Sequence, residues 1–271
     1  MTPRRSTRLE RWTCLTALTA LAAAALAGAA FAQPERVRVV VLEARGVGPT
    51  ALRTAVEAYE AAGGFEVRVV GPEAFRDGSA LEGARAVLFT GGRGSVQGQL
   101  LGEEGRARVR RFVADGGGYV GICAGAYLAM QGPAEFHKIG IVAAENATGE
   151  RWRRGTRAAA LRARGETAPV VLHYENGPLI APARAAGLAP FVPLATFETD
   201  VHWPRYDTHP GEMPGTAAVV AARYREGRVL LFSPNPTMDP ARPELLVQAT
   251  RWVVTRGAVP SRLAWRDVFA P

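Results

Sequence analysis

The sequence predicts an α/β fold built on a mostly parallel, doubly wound sheet, and three observations carry that prediction. Short β-branched runs alternate with amphipathic segments from Val37 to Ile122. Glycine-rich turns, Thr90-Gly91-Gly92 and Gly121-Ile122-Cys123-Ala124-Gly125, follow two of those runs directly. The second turn has the spacing G-x-C-x-G between a strand and a helix, the thiol form of the nucleophile-elbow pattern.

Taken in order, Val37–Leu42 reads as a central strand and Gly46, Gly48 and Pro49 as the turn after it. Residues 50–62 form a helix with Leu52, Val56 and Tyr59 on one face, which Gly63-Gly64 ends. Phe65–Val70 and residues 84–89 are strands, residues 100–114 an arginine-rich helix, and residues 119–122 the strand leading into the elbow. Beyond it, residues 138–144 read as a strand and residues 151–164 as a basic, solvated loop or helix carrying Trp152. Residues 169–173 and 191–197 are further strands, and residues 200–214 a loop holding His202, Asp207 and His209. Residues 217–223 and 229–232 pair as a hairpin through Glu226-Gly227, and residues 244–255 close the chain as a helix. The tail from Gly257 has no clear pattern.

The elbow gives Cys123 a chemical reading. A nucleophile on a sharp strand-to-helix turn needs small neighbours two residues away on each side, here Gly121 and Gly125. The N-terminus of the next helix points at the sulfur and favours a thiolate. Gly91-Gly92 frees backbone amides to face the crevice at the strand carboxyl ends, and with the amide of Ala124 they are placed to form an oxyanion-type site.

Composition narrows the function classes. The chain has 271 residues, 48% of them hydrophobic, which suits one globular domain of good size. Its net charge of +8 comes almost wholly from arginine, with Lys138 the single lysine, and the acidic residues are interspersed. No nucleic-acid face is predicted from that pattern. No cofactor and no metal site are predicted either, because the His202, Asp207 and His209 loop lacks a well-spaced third ligand.

Residues 1–32 read as a secretory signal peptide: Arg4, Arg5, Arg8 and Arg11, then an alanine- and leucine-rich core, then Ala30-Phe31-Ala32. Cleavage after Ala32 leaves a single domain over residues 33–271, exported to the periplasm or secreted, with no stable membrane anchor. Cys14 leaves with the signal, so Cys123 becomes the one thiol of the mature chain and no internal disulfide is possible.

The stretch from Val113 to Tyr127, with Thr90-Gly91-Gly92, resembles the class I glutamine amidotransferase superfamily, and more narrowly the biotin-protein ligase N-terminal domain family. His173-Tyr174-Glu175-Asn176-Gly177-Pro178 resembles that family's Tyr-Asn-Gly-Gly segment, and residues 227–234 the strand that leads to its catalytic histidine. The resemblance implies a three-layer α/β/α sandwich. It also implies a catalytic His-Pro-Glu element, where this chain has Asn235-Pro236-Thr237. An amide side chain takes no proton from a thiol at neutral pH, so glutaminase chemistry by the family route is not expected. No ligase domain follows, and biotin transfer is not implied.

Three readings follow. The site binds a small carboxylate or amide ligand without turnover, using the Gly91, Gly92 and Ala124 amides and Asn235. Alternatively Cys123 works as a hydrolase or amidase nucleophile with another base, His173 first, His209 second, with Glu43 as a further contact. A third reading is a partner-interaction module. Ligand identity and oligomeric state stay open in the sequence.

Overall fold

The computed structural model describes residues 36–270, and the predicted signal peptide lies outside the described residues. The strands are β1 (Val37–Leu42), β2 (Phe65–Val70), β3 (Ala86–Phe89), β4 (Gly118–Ile122), β5 (Ala144–Asn146), β6 (Thr156–Ala163), β7 (Val170–Glu175), β8 (Ile180–Pro182), β9 (Val192–Phe197), β10 (Ala217–Tyr224) and β11 (Gly227–Phe232). The α-helices are α1 (Pro49–Ala62), α2 (Pro72–Asp77), α3 (Gly94–Ala114), α4 (Ala124–Ala129) and α5 (Pro243–Val253).

All eleven strands join one sheet in the order β2-β1-β3-β4-β11-β10-β9-β6-β7, with β8 on β10 and β5 on β8. The strands β2, β1, β3, β4 and β11 run parallel, and the strands beyond β11 extend the sheet in antiparallel pairs.

Strand alternation divides the core into two layers. Val39 and Val41 pack with Ala55 and Tyr59 of α1 and Leu246 of α5 on one side. Val40 and Leu42 pack with Phe75 of α2, Leu101 and Val109 of α3 and Leu128 of α4 on the other. This is the three-layer α/β/α sandwich. Pro49 starts α1 where the missing amide hydrogen costs nothing, and Gly63 at φ 63° ends it. The Tyr59 hydroxyl meets Thr250 Oγ1 at 2.6 Å, tying α1 to α5 inside the layer.

Register places the site. Phe89 pairs with Gly121 and Phe232 with Ile122, so β3, β4 and β11 end side by side. Their carboxyl ends deliver Gly91-Gly92, Cys123 and Asn235 to one crevice, the expected ligand position of an open α/β sheet.

Two expectations need correction. Residues 138–144 are not a strand; Gly140 turns at φ 71°, and the amides of Ile139 and Ile141 bond back to Leu128 and Ala129 carbonyls to satisfy the end of α4. Only Ala144–Asn146 extends. Residues 151–164 are not a solvated loop or helix throughout, because Thr156–Ala163 is a strand between β9 and β7. Ala159, Leu161 and Ala163 face the core while Ala160 and Arg162 face the other way, a period of two that the exposed start of the strand, with Arg157, obscures. The tail also packs: Trp265, Val268 and Phe269 are buried, with Phe269 against Phe232 at 5.9 Å.

Candidate functional site

The elbow is strained as its spacing predicts. Cys123 sits at φ 51° and ψ −102°, a positive φ that only a tightly determined backbone imposes on a non-glycine residue. A Cβ at Gly125 would lie 1.9 Å from the Phe89 carbonyl oxygen, and one at Gly121 would lie 2.6 Å from the Gly125 oxygen. The turn closes only because both positions lack a side chain. The Cys123 amide donates to the Phe232 oxygen at 2.8 Å, locking the elbow to β11.

Burial pushes the thiol up to about 11, although the amides of Gly92 and Ala124 pull the other way. The expected thiolate is therefore not the resting form at neutral pH. Helix α4 has six residues, and its field does not overcome desolvation. The protonated Sγ donates to the main-chain oxygen of Glu175 at 3.5 Å. The amides of Gly92 and Ala124 thus both face the sulfur, while Gly91 lines the same pocket through its backbone.

Asn235 and Thr237 form a neutral pair. Asn235 Oδ1 accepts from the Thr237 amide at 2.8 Å and from Thr237 Oγ1 at 2.9 Å. Thr237 Oγ1 in turn meets Thr54 Oγ1 of α1 at 2.8 Å. Since Oδ1 is held by an N–H donor, the amide orientation is fixed and the NH₂ end is left for the pocket that Asn235 lines.

His173 reaches the same pocket from β7. Its Nδ1 lies 2.8 Å from the Asp239 carbonyl oxygen, which can only accept, so Nδ1 carries the proton. Nε2 is buried without a hydrogen-bond partner and lies 3.7 Å from Glu175 Oε2. No hydrogen bond joins it to Cys123. Glu43 and His209 are not brought in: both are exposed, and neither lines the pocket.

The pocket encloses about 870 Å³, with Tyr127, Phe136, Trp152 and Met238 as apolar walls and Arg93, Glu150 and Glu175 as charged groups. Tyr127 is held from behind by Lys138, whose Nζ lies 3.3 Å from the ring centroid and whose amine burial pushes down to about 7. Asn176 Oδ1 accepts from the amides of Arg154 and Gly155 at 2.8 and 2.9 Å, fixing the loop that carries Trp152. Arg154, 1% exposed, pairs with Glu212 at 2.6 Å. Burial alone would raise the Glu212 carboxyl, but the His209 amide and Arg154 together hold it down at about 2. Gly177 allows β7 to approach β11, since a Cβ there would lie 2.1 Å from the Ser233 oxygen.

Sequence reasoning missed Thr54, Glu150, Glu175 and Met238. Thr54 carries no local signal, being one polar residue on an amphipathic helix. Glu175 stood inside the His173–Pro178 segment already singled out, and it contributes through its main chain.

Residues 37–151 match the family model described as biotin-protein ligase, N terminal. No curated protein matches the chain. Among solved structures, a glutamine amidotransferase is 23% identical with a TM-score of 0.54, over 78% of this chain and 98% of that one. PurLQS from Thermotoga maritima is 16% identical with a TM-score of 0.51, over 74% and 88%. Residues 37–151 are therefore similar to the biotin-protein ligase N-terminal family, and the chain has a glutamine amidotransferase-like α/β fold.

Proposed function

We propose that the protein binds a ligand bearing a carboxylate or amide group at Cys123 and does not turn over glutamine. The observation that carries this reading is the Asn235–Thr237 pair. At the positions where the family resemblance implies a histidine and a glutamate, a neutral amide is bonded to a hydroxyl. The amides of Gly92 and Ala124 and the NH₂ of Asn235 supply donors to one oxygen-bearing group, and the protonated thiol adds no charge to repel it. Residues 1–32 direct export and are removed after Ala32, leaving residues 33–271 as one domain.

Thermal shift with acetate, succinate, acetamide and L-glutamine tests the reading. A saturable rise in melting temperature that persists in Cys123→Ala supports it. Loss of the shift in that variant, or ammonia released from glutamine by the wild type, counts against it.

A second reading rests on His173. Its Nδ1–H is fixed by Asp239, which leaves a basic Nε2 in the cysteine's pocket. A ligand that draws the two groups together would make Cys123 a hydrolase nucleophile. An ester or amide substrate turned over only while both Cys123 and His173 are intact would favour this reading.

A further inference from the structure

Two tryptophans stand at the surface beside the pocket. Trp152 is 45% exposed and Trp203 37%, and leaving so large an apolar side chain in water forgoes burial energy that most chains take. Trp152 lies on the loop between β5 and β6, Trp203 on that between β9 and β10. Between the two loops is a second cleft of about 320 Å³, lined by Glu150, Trp152, Arg153, Arg205, Tyr206 and Asp207. Glu150 and Trp152 also line the Cys123 pocket, so the two spaces share a wall.

The chemistry of the outer cleft is specific. Arg205 lies over the rings of Trp203 and Tyr206 at 4.4 and 5.0 Å, and Arg153 over Trp152 at 5.3 Å. Both guanidiniums lie over these rings, and no carboxylate pairs with either among the described residues. Arg205 Nη2 donates to the Tyr206 hydroxyl at 3.2 Å, and its other N–H groups remain for a ligand. Two guanidiniums and two carboxylates cancel in charge, so the cleft selects no strongly charged group. Guanidinium donors beside the carboxylate acceptors of Glu150 and Asp207, next to an exposed aromatic face, match a ring that presents adjacent hydroxyls at its edge and C–H groups on its face. That ring is a sugar.

We infer that the outer cleft binds a sugar ring and that the ligand of the whole site is a glycan bearing an amide-linked arm. The ring lies on Trp152, and the carbonyl of the arm reaches the donors of Gly92, Ala124 and Asn235. The arm rests on the binding role proposed above; the sugar site does not.

Tryptophan fluorescence and calorimetry with two trisaccharides test both parts on the full chain. Chitotriose carries an acetamido group on each ring, and cellotriose has the same linkage without it. Chitotriose is expected to bind saturably and at least tenfold more tightly than cellotriose. Trp152→Ala is expected to weaken both at least tenfold, with Trp152→Phe recovering most of the loss, and Arg205→Ala to weaken both several-fold. Asn235→Ala is expected to bring chitotriose to the level of cellotriose. Equal binding of the two sugars, with both lost in Trp152→Ala, keeps the sugar site and overturns the amide arm. Failure of both sugars to bind the wild type, or binding indifferent to Trp152→Ala and Arg205→Ala, overturns the inference.

Discussion

The main-chain amide of Asn235 donates to the carbonyl of His173 at 2.7 Å, a single antiparallel bridge that lays the turn after β11 beside the end of β7. Residues 62 positions apart thereby share one pocket wall (235 − 173). The bridge brings an imidazole next to the position where the family resemblance implies one, yet leaves it unbonded to the thiol.

Cysteine reactivity follows from that arrangement. With the thiol pushed up to about 11 and no base bonded to it, the thiol is the dominant form at pH 7. Iodoacetamide is expected to label Cys123 at least tenfold more slowly than an unperturbed thiol. The rate should climb through pH 9 to 11, and His173→Ala should leave it within about twofold. A tenfold drop in that variant would transfer support to the hydrolase reading.

Alkaline stability has a definite sign. Cys123, Tyr59, Tyr119 and Tyr174 all have raised proton affinities in the folded chain, chiefly through burial. The unfolded chain releases these protons first, from about pH 8.5 for the thiol and about pH 10 for the phenols. Folding stability is then lost as pH rises above those values. Melting temperature is expected to fall steadily from pH 8.5 to 11, and Cys123→Ala to flatten the first part of the fall.

The elbow glycines set a steric limit. Gly125→Ala places a methyl 1.9 Å from a backbone oxygen, which no rotamer relieves. A loss of about 3 kcal/mol or more, at the upper end of overpacking, is expected in chemical denaturation. Gly187→Ala, where nothing lies within 4 Å, should cost about 1 kcal/mol from its φ of 76° alone.

How far the sequence carried these conclusions depends on the kind of signal. The parallel half of the sheet was legible because β1, β3 and β4 are buried on both faces and read as continuous apolar runs. Cys123, Gly92 and Ala124 could be singled out because the glycines around them have one steric purpose, and Asn235 because it stands where the family resemblance implies a histidine. β6 was not, since its outward arginines dominate the composition while the inward alanines contribute little contrast. The resting state of the thiol was not legible either, because desolvation depends on the walls that other elements bring. Thr54 reaches Thr237 only through the docking of α1, a contact 183 residues apart in sequence.

The β5–β6 and β9–β10 loops are joined by Arg154. Removing it leaves Glu212 with the His209 amide and, as its remaining ion pair, the far more exposed Arg151 at 2.8 Å. Arg154→Ala is expected to cost about 3 kcal/mol and to raise proteolytic cleavage within residues 200–214. The Glu212 carboxyl is held at about 2, so its contribution is present above the usual carboxylate range and lost as pH falls toward 2. Glu212→Gln should therefore shrink the stability gap between pH 5 and pH 2.5.

The proposed role of the Cys123 pocket is to bind without hydrolysing glutamine, and ammonia release from L-glutamine measures it most directly. No release above the rate of buffer is expected at pH 6 to 9, with Cys123→Ser indistinguishable from wild type. Ammonia release that saturates with glutamine and vanishes in Cys123→Ser would contradict it.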